Sequence, residues 1–168
     1  MEIVLASHNQ LLYRATISGP EGIADLVGDR HCDALTTAGG FQFWFAATSR
    51  GAGRLNGPAT KLLFVHQTLR PAVTPLLRGT VVVARRSAAG PPTELTAEQA
   101  CALVAPLDAL SRRNELTIER RLRRTANADR RANHRRQMES APFELSRSAR
   151  AQANWRLLRR QLSPDSRW

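Results

Sequence analysis

Thr80-Val81-Val82-Val83 is the most β-prone run in the chain, and it anchors a strand read over Leu76 to Ala84. Working back from it, the Pro71 to Pro75 break separates this strand from a helix. Asn56-Gly57-Pro58 opens that helix, with Asn as N-cap and Pro in the first turn, and Ala59, Leu62, Leu63 and His66 follow at helical spacing. Ser49 to Gly57 reads as a glycine-rich loop. Before it, His31 to Thr37 and Phe41-Gln42-Phe43-Trp44-Phe45 form two strands joined by a Gly39-Gly40 turn. Glu21 to Val27 is a short helix stopped by Gly28, and Leu11 to Ile17 is a strand ending at Ser18-Gly19-Pro20. An extra strand fits Ile3 to Leu5. The order β-α-β-β-α-β predicts an α+β domain over residues 1–86, a small sheet with its helices on one face.

Beyond the strand, Ser87-Ala88-Ala89-Gly90-Pro91-Pro92-Thr93 reads as a linker over 87–93, because a Pro-Pro pair continues neither a helix nor a central strand. Residues 94–168 then predict an all-α, arginine-rich extension of about three helices. Thr96 with Gln99 is a capping box, followed by Ala100, Leu103, Val104, Leu107 and Leu110 with a kink at Pro106. Arg112 to Met138 holds no Gly or Pro and predicts one long helix, broken at Ala141-Pro142. Ser146 to Leu162 predicts the last helix, with Ala151, Trp155, Leu158 and Leu162 on one stripe and its end at Pro164.

The charge is unusual for a chain of 168 residues: 25 basic against 14 acidic side chains, a net of +11. Lys61 is the sole lysine, and an arginine-rich, alanine-rich composition follows from a GC-rich genome; the shortage of acids does not. Residues 1–90 carry a net of +4 and residues 91–168 a net of +7. Such a surface favours anionic partners: nucleic acid, an acidic protein or anionic lipid. No apolar stretch approaches the roughly 20 residues of a membrane span, and the start lacks a secretory signal, so a cytoplasmic protein with no membrane association is expected. Cys32 and Cys101 are expected to be reduced, buried thiols.

Residues 10–86 resemble a family of small uncharacterised α+β domains found in bacteriophages, plasmids and actinobacterial genomes. The resemblance rests on Ile17-Ser18-Gly19-Pro20-Glu21-Gly22-Ile23-Ala24-Asp25-Leu26-Val27-Gly28, Gly40 to Phe45, Leu55-Asn56-Gly57-Pro58-Ala59-Thr60 and Arg78-Gly79-Thr80-Val81-Val82-Val83. It implies a mobile-element setting, the host cytoplasm if phage-encoded, and no particular activity. Family members often carry an acidic loop after the Trp-bearing strand, where this chain has Ala46-Ala47-Thr48-Ser49-Arg50.

The sharpest chemical signal lies on the long helix. Arg113, Arg120, Arg124, Arg131 and Arg135 step by 7, 4, 7 and 4 residues, one narrow stripe at 3.6 residues per turn, flanked by Arg112, Arg121, Arg123 and Arg130. Ile118, Leu122 and Ala126 take the opposite side, with Glu115 and Glu119 beside them. Arginines repeated along a rod match phosphates repeated along a nucleic-acid backbone. A non-enzymatic nucleic-acid-binding accessory protein, contacting DNA or RNA through this stripe, is therefore expected. One alternative is an interaction protein that inhibits or remodels a host factor through that factor's acidic surface. A second is a binder of small anions or nucleotides at the Asn56 helix start, where Arg50, Arg54, Asn56, Gly57, Thr60 and Lys61 gather around amide donors.

Enzymatic signals are weak. Asp25, Asp29 and Asp33 with His31 carry metal-ligand chemistry, but Gly28 breaks any shared helical face. His31 and Cys32 with His66 and Cys101 lack zinc spacing. No P-loop or dinucleotide fingerprint is present, and no cofactor or metal is expected. Trp155 and Trp168 stand near arginines, and Trp155 reads better as a packing residue than as a base-stacking one.

Overall fold

The computed structural model describes residues 1–47, 53–87 and 90–161, the side chains of 140–161 excepted. Their elements are β1 (Glu2–Ala6), β2 (Leu12–Thr16), α1 (Gly22–Val27), β3 (Cys32–Thr36), β4 (Phe41–Ala46), α2 (Gly57–Val65), β5 (Val81–Arg86), β6 (Pro92–Thr93), α3 (Ala97–Val104), a 3₁₀ turn (Ala105–Leu107) and α4 (Arg112–Gln161). The fold is α+β. Its six-stranded antiparallel sheet has the order β2-β1-β5-β4-β3, and β6 also pairs with β5.

The valine run forms the central strand. Val81, Val82, Val83 and Ala84 are all fully buried, because both faces of the sheet are covered and successive side chains point to opposite faces. Val81 and Val83 join Val4, Ala6, Phe41 and Phe43 beneath Ala59, Leu62 and Leu63 of α2 and Ala100 and Leu103 of α3. Val82 and Ala84 join Ile3 beneath Ile23, Leu26 and Val27 of α1. The expectation of helices on one face is thereby corrected. In α1, Ile23, Leu26 and Val27 need a surface of their own, and the uninterrupted valine run supplies one on each side.

Local signals set the turns. Thr37 N–H donates to Phe41 O at 2.9 Å, and Gly40 sits at φ 75°, where an added Cβ would stand 3.2 Å from the Arg85 guanidinium. Gly28 ends α1 in the left-handed region at φ 74°. The Thr96–Gln99 capping box forms in both directions, at 3.1 and 3.0 Å. At Pro106, α3 gives way to the 3₁₀ turn.

Within the linker expected over 87–93, Pro92 and Thr93 are instead part of the sheet, and residues 88–89 lie outside the described residues. Arg86 pairs with Pro92 and Arg85 with Thr93, on a short strand where a proline's missing donor is tolerated. Leu95 N–H then donates to Glu2 O at 2.8 Å, and the Leu95 side chain is buried in the core with α3. The chain divides into compact units Met1–Ala126 and Asn127–Trp168.

The break expected at Ala141-Pro142 is absent as well. α4 runs as one helix of 50 residues through Pro142. Proline deletes one amide donor, but the alanines, arginines, glutamates and leucines around it are strong helix formers. The side chains of Ala151, Trp155 and Leu158, and residues 162–168 with Leu162, Pro164 and Trp168, lie outside the described residues.

Candidate nucleic-acid interface

The first four turns of α4 belong to the unit Met1–Ala126. Ile118 is wholly buried there, and Leu122 lies over the start of α2, where a Cβ added at Gly57 would meet its Cδ1 at 3.5 Å. Two polar anchors flank this apolar contact. Lys61 Nζ donates to Glu115 Oε1 at 2.6 Å and to Glu119 Oε1 at 3.1 Å. Arg121 Nη1 donates to Pro71 O at 2.6 Å and Thr74 O at 2.9 Å.

Burial by itself would lower the Lys61 pKa, but its bonds to the two glutamates outweigh that and hold it above its ordinary value. The Lys61 ammonium in turn holds the Glu115 carboxyl below the usual carboxylate range. Both acids in this part of the helix are thus turned to Lys61. The outward side is left to arginine: Arg112, Arg113, Arg120, Arg123 and Arg124 are all exposed. At 100° per residue, Arg113, Arg120 and Arg124 lie roughly opposite Ile118 and Leu122. Arg123 reaches Glu119 only at 4.0 Å, an exposed pair that contributes little. Arg121, expected to flank the stripe, is the exception, because its guanidinium serves the loop between α2 and β5.

In the unit Asn127–Trp168, Arg130, Arg131 and Arg135 are exposed, as is every residue over 127–139 except half-buried Asp129. Neither Arg130 nor Arg135 stands near a burying surface within the described part of this unit.

The start of α2 does not have the open donors that an anion site needs. Gly57 N–H donates to Gln10 Oε1 at 2.9 Å, Pro58 has no donor, and Ala59 N–H donates to Asn56 Oδ1 at 3.0 Å. Asn56 is fully buried, and its Nδ2 donates to Ala6 O at 2.9 Å and Gly79 O at 2.8 Å. The buried Thr60 hydroxyl donates to Asn56 O and accepts from Leu77 N–H. Lys61 is committed to Glu115 and Glu119, Arg54 is exposed, and Arg50 lies outside the described residues. These residues form a structural joint. The cap supplied by Gln10 across the β1–β2 turn has no signal in local spacing.

Nor does the structure assemble the enzymatic candidates. Among the described residues, no group of three His, Cys, Asp or Glu is placed to hold a metal ion. Cys32 is half-buried and donates to Asp29 O, while Cys101 is exposed, contrary to the expectation of two buried thiols. Burial, then the charges of Asp29 and Asp33, push the Cys32 thiol up, away from the reactive thiolate. His66 is spent on Leu103 O at 2.7 Å and on the edge of Phe41. Among the described residues, no helix is long and apolar enough to cross a membrane.

Comparison with known proteins finds no matching family model, curated protein or solved structure.

Proposed function

We propose that this protein binds nucleic acid without catalysis, contacting phosphates through the arginines of α4. The observation that carries this reading is the sorting of charge on the docked part of the helix. Glu115 and Glu119 face Lys61, and Arg121 is turned inward, while Arg112, Arg113, Arg120, Arg123 and Arg124 remain exposed. Summed charge does not require such sorting, but a phosphate-contacting face does. Arg131 and Arg135 continue the same spacing in the second unit. The capped α2 start gives no support to the small-anion alternative.

Fluorescence anisotropy of labelled oligonucleotides over a salt series tests this reading. Binding should weaken steeply with salt. The Arg113→Ala/Arg120→Ala/Arg124→Ala variant should flatten the log–log slope by roughly 0.9 for each phosphate it no longer neutralises. Absence of binding at low salt, or a triple variant indistinguishable from the parent chain, overturns it.

A further inference from the structure

We infer that the segment Asn127 to Met138 reads the major groove of B-form duplex DNA. This rests on the nucleic-acid reading above and narrows it to one substrate class. Asn127, Arg131, His134 and Met138 stand at i, i+4, i+7 and i+11, which at 100° per residue confines them to a sector of about 60°. All four are exposed, Met138 at 60%. Arg130 and Arg135 lie about 70° to either side of the sector's centre, and both are exposed. The acids are displaced from this face: Asp129 falls on the opposite side of the helix, and Glu139 about 110° from the sector's centre.

A helix seated in a groove meets phosphates on two walls and base edges on its floor. The arrangement of this segment has that form, with an arginine on each flank and a mixed polar and apolar ridge between them. Asn side chains pair with the N6 and N7 edge of adenine, Arg with the O6 and N7 edge of guanine, and an apolar group with the thymine methyl. The Met138 side chain supplies the last of these. A helix is about 10–12 Å across, and the B-DNA major groove is about 12 Å wide. Residues 127–139 are exposed save at Asp129, which is half-buried. The major groove of an RNA duplex is too deep and narrow to be read in this way. A single strand has no groove, and the sequence from Arg112 to Glu139 contains no Phe, Tyr or Trp on which its bases would stack.

The test uses the full chain with duplex DNA, duplex RNA and single-stranded DNA of equal length and sequence, compared by anisotropy at one ionic strength. Duplex DNA should bind at least about tenfold more tightly than the other two, the discrimination expected of one good base pairing. Asn127→Ala/His134→Ala should weaken duplex DNA binding several-fold and leave the salt slope unchanged. Arg130→Ala/Arg135→Ala should lower the slope by roughly 1.8, the share of two phosphates. Circular dichroism of both variants checks that helicity is retained. Equal affinity for all three nucleic acids, or an unaltered Asn127→Ala/His134→Ala variant, overturns the groove assignment while leaving phosphate binding standing. If no nucleic acid binds at low salt, both readings fall together.

Discussion

Lys61 Nζ lies 2.6 Å from Glu115 Oε1, joining α2 to α4 across 54 positions of sequence. The same ammonium reaches Glu119 at 3.1 Å. One lysine therefore orients the helix: it draws two carboxylates to the docked side and leaves the outward side to arginine.

This relationship gives the docking a pH window. Folded Glu115 holds its proton less tightly than the unfolded residue. Its contribution is present above the unfolded carboxyl value of about 4.3 and is lost as pH falls through the lower folded value. Lys61 is held above its ordinary value, so its contribution is complete below about pH 10.4 and is lost as pH rises through the folded value. The melting-temperature difference between the parent chain and Lys61→Met should be widest between these limits and shrink towards both. A difference independent of pH would show that the ion pair adds no stability.

Neighbouring arginines should behave oppositely. Arg121→Ala removes two hydrogen bonds to backbone carbonyls and should cost about 1–3 kcal/mol of stability in urea unfolding, with oligonucleotide affinity almost unchanged. Exposed Arg120→Ala should weaken binding and leave stability within about 0.5 kcal/mol of the parent chain. If both variants lose affinity equally, Arg121 is not the inward anchor that its hydrogen bonds describe.

Asn56→Ala should be among the most damaging polar substitutions. It removes the cap on Ala59 N–H and strips a donor from the carbonyls of Ala6 and Gly79 at a fully buried site. Adding the missing cap to newly unpaired buried groups gives roughly 3 kcal/mol. Asn56→Asp retains the cap acceptor but sets a buried carboxylate oxygen against the Ala6 and Gly79 carbonyls, and should cost at least as much as Asn56→Ala. Chemical denaturation separates the two, and full recovery in Asn56→Asp would assign the whole effect to the cap.

Ile118 is the apolar centre of the docked helix. Ile118→Ala should lower stability by about 2–4 kcal/mol, whereas Leu116→Ala, at a side chain 42% exposed, should be close to neutral. Hydrogen exchange over residues 112–126 should rise in Ile118→Ala before it rises in the central strand. Simultaneous loss of protection in both would mean that the helix and sheet open as one cooperative unit.

Much of the fold is legible because its signals act between near neighbours. Thr96 and Gln99 meet three residues apart, Thr37 and Phe41 close a turn four residues long, and Gly28 stops a helix through its own φ. The arginine spacing on α4 follows from helical period alone. Other features depend on which distant segment arrives. Pro92 becomes a strand residue because Arg86 lies beside it, and α1 takes the second face because Val82 and Ala84 need cover there. Local spacing is equally silent on Lys61, whose position at a basic helix start reads as anion binding until Glu115 and Glu119 are seen against it. By itself, then, the sequence determined the helical and strand periods, the caps and turns, and the excess of positive charge, all properties of bonds and spacings within a few residues. Only the tertiary structure decided that Arg120 faces outward while Arg121 is tied to Pro71 and Thr74, because burial and charge pairing are relations between surfaces far apart in the chain.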